Sequence, residues 1–478
     1  MSIKSLAVRA GCCLLVPLVL AGCATTSVFK AYPKHINPCI DGLDTGQIEP
    51  ALDKLDGHRN GKDKVLFLME RGRVAQIANQ ADVSKVDFED AIAAVRDAEE
   101  KAVLSASDAG ATAASLLTNE NAIPYEARGY EKVFLYHMQA LNYLFEGDLE
   151  GASVEVRRAN QEQELALDRH IKALDKAQKK QEKEKADWGT AGGNVDKAYS
   201  DMDAIVGKVK NSFQNAYTFY MSGIVWELMG EPNDAYIDYK KALEIYADNR
   251  YLQKDVLRLA KALGMNEDYK VFKQRFADVA AELEAEQPEA GAGELVVFFE
   301  DGFVPQMRDI SIPLPTPDGL IGVAFPIYKN PGRALQPLEI YEGDQRLAPT
   351  EPVCDVYALA AKALKERLPM LLTREVLRAV SKAVLQKQAA DQAGLFGAIG
   401  TSIYNIVTTG ADLRAWYTLP NDVQVMRVAL PEGEHCLRMV HGPTQTIVEP
   451  PVPIKANGKT IMRVVLCGSK AYYQTVVF

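Results

Sequence analysis

The sequence predicts an α+β multidomain chain: an all-α domain of helical repeats at 40–286, then a C-terminal α+β domain at 294–478 with antiparallel strands and a helical insertion. Three observations predict it. One spacing of small residues occurs three times in the first half. The stretch Gln287 to Gly293 (QPEAGAG) has the composition of a linker. Beyond it, the apolar period shortens from that of a helix to that of a strand.

The repeated spacing runs through Ala140, Gly147, Ala152, Val156 and Ala159, and again through Gly223, Gly230, Ala235, Tyr239 and Ala242. A third copy runs through Gly72, Asn79, Ser84, Phe88 and Ala91. Small residues on two successive helices let them approach closely, and a large residue fills the gap between them. Gly or Asn suits the left-handed turn that joins them. Leu141, Tyr143 and Leu144, and in the last copy Phe219, Trp226 and Leu228, supply the apolar stripe. The pattern resembles the tetratricopeptide repeat, a helix–turn–helix of about 34 residues. The resemblance implies a surface for other proteins, with the helical concavity holding a partner peptide.

The elements follow in order. Lys4 and Arg9, the apolar run Cys12 to Leu20, and Leu20-Ala21-Gly22-Cys23 read as a secretory signal at 1–22, too short to span a bilayer. Its end resembles the bacterial lipobox, which implies lipidation at Cys23, a palmitate-bearing anchor and, from Ala24, passage to the outer membrane. Residues 23–39 read as the lipidated Cys and a tether. Helical pattern then begins at Ile40, and Lys64 to Glu99 forms the first repeat unit. Ser105 to Tyr130, small and polar, reads as a short helix and an ordered loop. Asn160 to Trp188 reads as an extended, solvated repeat helix, with a short coiled coil as the alternative; Leu165, Leu167, Ile171 and Leu174 are its apolar side. Tyr251 to Leu263 and Glu267 to Leu283 read as two capping helices.

After the linker, Leu295 to Phe299 reads as a buried strand, followed by Ile310 to Ile312, Ile321 to Tyr328 and Leu338 to Tyr341. Asp355 to Gln388 is helical with a break near Pro369. Val423 to Leu430, Glu434 to Val440, Thr444 to Val448, Thr460 to Leu466 and Tyr472 to Val477 complete the strands. Gln392 to Ala411 carries no charge, but its four glycines and its polar residues favour a buried or subunit-facing helix over a membrane span. Arg414 and Trp416 read as anchors of a core.

Composition excludes some functions. The net charge is −10, and loss of residues 1–22 leaves 52 basic against 64 acidic residues, which argues against nucleic acid as a partner. An acidic chain gains little from anionic lipid, so the acyl chains supply the anchoring. Cys39, Cys354, Cys436 and Cys467 are too scattered for a disulfide framework. Cys436 and Cys467 both fall in strands and could pair, but buried free thiols are the preferred reading. His35, His58, His137, His170, His435 and His441 form no metal-site spacing, and no nucleophile elbow, Walker loop or dinucleotide fingerprint occurs. Neither an enzyme nor a cofactor is expected.

Over most of its length the chain resembles an uncharacterised family of repeat-containing outer-membrane lipoproteins of Gram-negative bacteria. Leu20 to Cys23, Ile123 to Ala159, Gly293 to Pro313 and Ala411 to Pro431 carry the likeness. Some members are encoded beside LpoB-type lipoproteins that activate penicillin-binding proteins. The resemblance implies a lipid-anchored periplasmic scaffold for other cell-envelope proteins, in cell-wall synthesis or envelope assembly. The alternatives are a periplasmic hydrolase with its site in the C-terminal domain, and a homo-oligomeric envelope component using Gln392 to Ala411.

Overall fold

The computed structural model describes residues 31–105, 121, 123–183, 193, 196–286, 290–316, 319–329, 334–372, 410–442 and 445–478. Cys23, most of Ser105 to Tyr130, the end of Asn160 to Trp188 and nearly all of Gln392 to Ala411 therefore lie outside the described residues. Besides short helical turns at Ser200–Met202 and Asp203–Val206, the helices before the linker are α1 (Pro33–Thr45), α2 (Ile48–Asp56), α3 (Lys64–Ile77), α4 (Ala81–Ser105), α5 (Gly129–Phe145), α6 (Leu149–Lys183), α7 (Ala216–Leu228), α8 (Pro232–Ile245), α9 (Arg250–Ala262), α10 (Asn266–Arg275) and α11 (Ala277–Ala285).

Three helix pairs, α3/α4, α5/α6 and α7/α8, carry the repeated spacing. In each, the small residue of the first helix faces the second. A Cβ on Gly72 would lie 2.7 Å from the Phe88 ring, and one on Gly223 would collide with the Tyr239 ring. Ala140 with Ala152, Val156 and Ala159, Ala91 in the first pair, and Ala235 with Ala242 in the third, are all fully buried. The turns fall at Asn79 (φ 62°), Gly147 (φ 80°) and Gly230 (φ 77°), where the left-handed backbone favours Gly or Asn. The helical half is thus tetratricopeptide-like by its own packing.

Four helical details differ from the sequence reading. The tether at 23–39 is shorter than expected, because α1 starts at Pro33. Proline is tolerated in a first turn, and burial of Tyr32, Ile36 and Cys39 outweighs the N–H that Pro38 lacks inside the helix. The second capping helix is two, α10 and α11, separated at Phe276, whose φ, ψ of −121°, 52° are not helical. In α6, Leu165 and Leu167 are exposed while Ala166 is buried, so the packed side is one residue out of step with the expected one. Residues 356–372 form α12, which continues through Pro369 without a break.

Twelve strands are described: β1 (Gly293–Asp301), β2 (Arg308–Thr316), β3 (Gly319–Ile327), β4 (Leu338–Glu342), β5 (Gln345–Pro349), β6 (Glu351–Asp355), β7 (Asp422–Leu430), β8 (Gly433–His441), β9 (Gln445–Val448), β10 (Pro451–Ile454), β11 (Lys459–Cys467) and β12 (Lys470–Val477). A first sheet has the order β12-β11-β1-β7-β6, and a second the order β10-β8-β4-β5 with β9 on β8. Strands β2 and β3 form a separate ribbon. Pro313 and Pro315 lie within β2, because a two-stranded ribbon leaves one side of each strand free of ladder bonds. Most pairings are antiparallel as expected. The β1–β11 pairing is parallel, Glu294 opposite Lys459 through Asp301 opposite Leu466, so the first sheet is mixed. Helix α12 is the insertion, lying between β6 and β7. No helix among the described residues is long and apolar enough to cross a membrane.

Helices and sheets stack in three layers. Along β1, Phe298 meets the rings of Tyr217 and Tyr220 on α7 at 5.3 and 6.2 Å, while Phe299 on the opposite face meets His441 of the second sheet at 5.5 Å. With both faces covered, β1 reads as the unbroken apolar run Leu295 to Phe299, every residue of which is fully buried. One hydrophobic core runs from Tyr32 to Cys467. Cys39, Cys354 and Cys467 are buried free thiols within it, whereas Cys436 is exposed and unpaired. The suggested Cys436–Cys467 pair does not form: Cys436 lies in the second sheet and Cys467 at the end of β11 in the first.

Candidate functional site

The first helices of the repeats, α3, α5 and α7, turn one side toward the C-terminal domain, and that side is filled by the chain itself. Residues 411–421, between α12 and β7, lie against it, with Trp416 and Tyr417 fully buried. Two glutamates hold this segment by its backbone. Glu70 of α3 accepts from the Tyr417 N–H (2.8 Å), the Thr418 N–H (3.1 Å), the Thr418 hydroxyl (2.5 Å) and the Tyr32 hydroxyl (3.1 Å). Glu131 of α5 accepts from the Trp416 N–H (2.9 Å), the Arg128 N–H (2.7 Å), and the hydroxyls of Tyr125 (2.5 Å) and Tyr130 (3.2 Å). Arg414 donates to both oxygens of Asp412 at 2.8 and 2.9 Å and to Asp63 at 2.6 Å. Arg73 donates to the Thr418 carbonyl at 3.3 Å and pairs with Glu300 of β1. The expected anchoring role of Arg414 and Trp416 is what the structure shows.

At the far end of the same side, charge replaces backbone recognition. Arg427 of β7 donates to Glu227 of α7 at 2.9 and 3.0 Å and to Glu294 of β1 at 2.8 Å, and pairs with Asp255 of α9 at 2.9 Å. Arg258 and Lys459 reach the same acids. Three cations thus balance three carboxylates beneath the sheet.

The electrostatics follow from these partners. Burial pushes the Glu70 carboxyl up to about 7, a rise that its neutral donors only partly offset. Burial would raise Glu294 too, but Arg427 and Lys459 bring it down to about 2. Arg414 likewise brings the buried Asp412 down to about 2. These perturbed acids tie elements together.

An open groove of about 630 Å³ lies beside this closed side, where α6, α7 and α8 and the stretch 207–214 meet β6 and α12. Leu167, Phe219, Ile245, Tyr246, Val353 and Leu359 give it an apolar lining. Lys208 and Lys241 stand in it, held by Asp355 (3.1 Å) and Glu164 (3.2 Å). Gln163 accepts the Asn215 N–H at 2.6 Å, while its own buried amide nitrogen has no hydrogen-bond partner among the described residues. An open groove with apolar subsites suits an extended peptide. Among the described residues no group of His, Cys, Asp and Glu could hold a metal ion.

The packing residues singled out in the sequence, from Gly72 to Ala242, hold the repeat pairs together and do not line this groove. Glu70, Glu131 and Glu227 were not legible there as interior residues, because on a helix an acid normally marks the solvated face.

No protein-family model matches the chain, and no curated protein sequence matches it. Among solved structures it is similar to MamA from Desulfovibrio magneticus (TM-score 0.27, 11% identity, 53% of this chain and 94% of that one). It is also similar to a tetratricopeptide repeat protein from Parabacteroides merdae (TM-score 0.29, 11% identity, 53% of this chain and 68% of that one). A third is YrrB, a tetratricopeptide repeat protein with an unusual peptide-binding site (TM-score 0.29, 12% identity, 54% of this chain and 88% of that one).

Proposed function

We propose that this chain is a non-catalytic, lipid-anchored scaffold on the periplasmic face of the outer membrane, binding other cell-envelope proteins. Cell-wall synthesis is the first pathway to examine and envelope assembly the second. One observation carries the reading: an open groove, lined by both halves of the chain, remains after the repeats have closed over the chain's own segment. The partner surface therefore moves from the helical concavity expected of the repeats to the seam between repeat domain and sheet. A tether at Cys23 would keep that groove at one membrane and raise its effective concentration for partners there.

The test is site-specific photo-crosslinking in cells, with the crosslinker at Lys210 and Lys241 in the groove and, as a control, at the exposed Ile237 on α8. An envelope protein captured from the groove positions, and bound again by the purified chain, is the expected result. Equal capture from Ile237 would reject the groove, and no capture from any position would reject the scaffold.

A further inference from the structure

A second concavity, of about 580 Å³, lies where the folded body begins. The first turn of α1, the stretch 305–308 before and into β2, and Lys329 after β3 surround it. Three cations from these separate segments converge there, Lys34, Arg308 and Lys329, and all three are exposed. No carboxylate lines it, and none of the three is in an ion pair among the described residues. Asp309, next to Arg308, lies on a strand, where successive side chains point to opposite faces. The first turn of α1 carries no acid, so the positive end of that helix adds to the field. The other open sites mix charges: Lys208 and Lys241 in the larger groove have carboxylate partners, and the concavity beside α3 sets Asp56, Asp90 and Asp97 against Arg59 and Lys64. On a chain of net charge −10, this is a local reversal of sign.

Its place gives the reversal a meaning. Tyr32 is pinned by the rings of Phe67 and Tyr417 at 5.7 and 5.9 Å and by its bond to Glu70. The concavity therefore sits at a fixed point, eight residues after Cys23. Eight residues span at most about 28 Å fully extended and about 16 Å as a flexible coil. An acylated Cys23 would keep the three cations within that reach of the headgroup layer.

We propose that Lys34, Arg308 and Lys329 form a headgroup site that takes the phosphate of an anionic phospholipid in the leaflet holding the anchor. The orientation of the body on the membrane rests on the Cys23 reading of the preceding section; the phosphate chemistry does not. The chain's negative total does not oppose this, because attraction at a membrane is set by charges within about a Debye length of it, roughly 8 Å at physiological salt.

The test uses the whole mature chain with Cys23→Ser, so that no acyl chain contributes, in flotation with phosphatidylcholine vesicles with and without phosphatidylglycerol. Binding is expected only to the phosphatidylglycerol vesicles, weakening with salt. The triple variant Lys34→Gln, Arg308→Gln, Lys329→Gln should weaken it on the order of a hundredfold, given the usual contribution of a basic residue near such a surface. A control of equal charge change on the exposed capping helices, Lys261→Gln, Lys270→Gln, Lys273→Gln, should leave it unaltered, with circular dichroism showing both variants folded. Equal binding to both vesicles, or equal loss in the control, would overturn the site. Inorganic phosphate binding that needs the three cations, without any vesicle binding, would overturn the lipid assignment. Failure of groove crosslinking would leave all these outcomes unchanged, so the two proposals fail separately.

Discussion

Two glutamates in the first helices of the first and third repeats sit in interior sites of opposite character. Glu70 on α3 has four neutral donors, two of them backbone N–H groups of residues 347 and 348 positions away. Glu227 on α7 has Arg427, Arg258 and Lys459. Burial raises both carboxyls; the cations more than reverse this at Glu227 and hold it well below the usual range, whereas Glu70 is left at about 7. The difference shows two ways in which one repeat array fastens a second domain. The first recognises an extended backbone whatever its side chains, and the second matches charge to charge.

The largest effect should come from breaking the charged end. Arg427→Leu leaves Glu227, Asp255 and Glu294 with one cation fewer beneath the sheet. A cost of about 3–5 kcal/mol is expected, because buried carboxylates lose their partner. Urea denaturation at neutral pH measures it. A loss below 1 kcal/mol would mean that water reaches the cluster.

The backbone-recognising end should differ in its response to pH. The folded carboxyl of Glu70 is raised from 4.5 to about 7, so its contribution is fully present below pH 4.5 and is lost as pH rises through 7. That limb is about 3 kcal/mol deep by linkage. Glu70→Gln should remove it, and urea denaturation of both proteins between pH 5 and 8 reads the difference. Asp412 and Glu294 run the other way. Their folded values are near 2, so their contribution is present above their ordinary range and is lost as pH falls toward 2. The Glu70 variant should keep this acid limb unchanged.

Glycine substitutions separate the repeats' own packing from both polar clusters. Gly223→Ala forces a methyl against the Tyr239 ring and should cost about 1–3 kcal/mol in thermal or urea unfolding. Gly147→Ala should cost roughly 1 kcal/mol. Its site has open space, and only the left-handed backbone resists the change.

The repeats were legible because their packing is local. Gly72, Gly223 and their plugs Phe88 and Tyr239 lie sixteen residues apart, and a fixed spacing records the contact. Strong strands such as β1 and β11 were legible from apolar runs. Three short strands were not: β5, β6 and β10 are four or five residues long without a clear apolar run, and β10 begins at Pro451. The parallel register of β1 on β11 leaves no mark in either strand. For the site, Arg414 and Trp416 announced a core, but nothing near Glu70 or Glu131 in sequence announced the segment each would hold. Such partners are chosen by topology, and local pattern carries no record of it.

The position of β1 at the centre of the first sheet has a consequence for how the chain is made. Glu294 meets Arg427 133 residues later and Lys459 165 residues later, so the strand cannot gain either neighbour until most of the C-terminal domain has emerged. Until then the repeats display the apolar and acidic side that the sheet will cover. Such late, distant pairing slows folding and exposes sticky surface meanwhile. A chain made in this order gains from any shielding of its first half until β11 arrives.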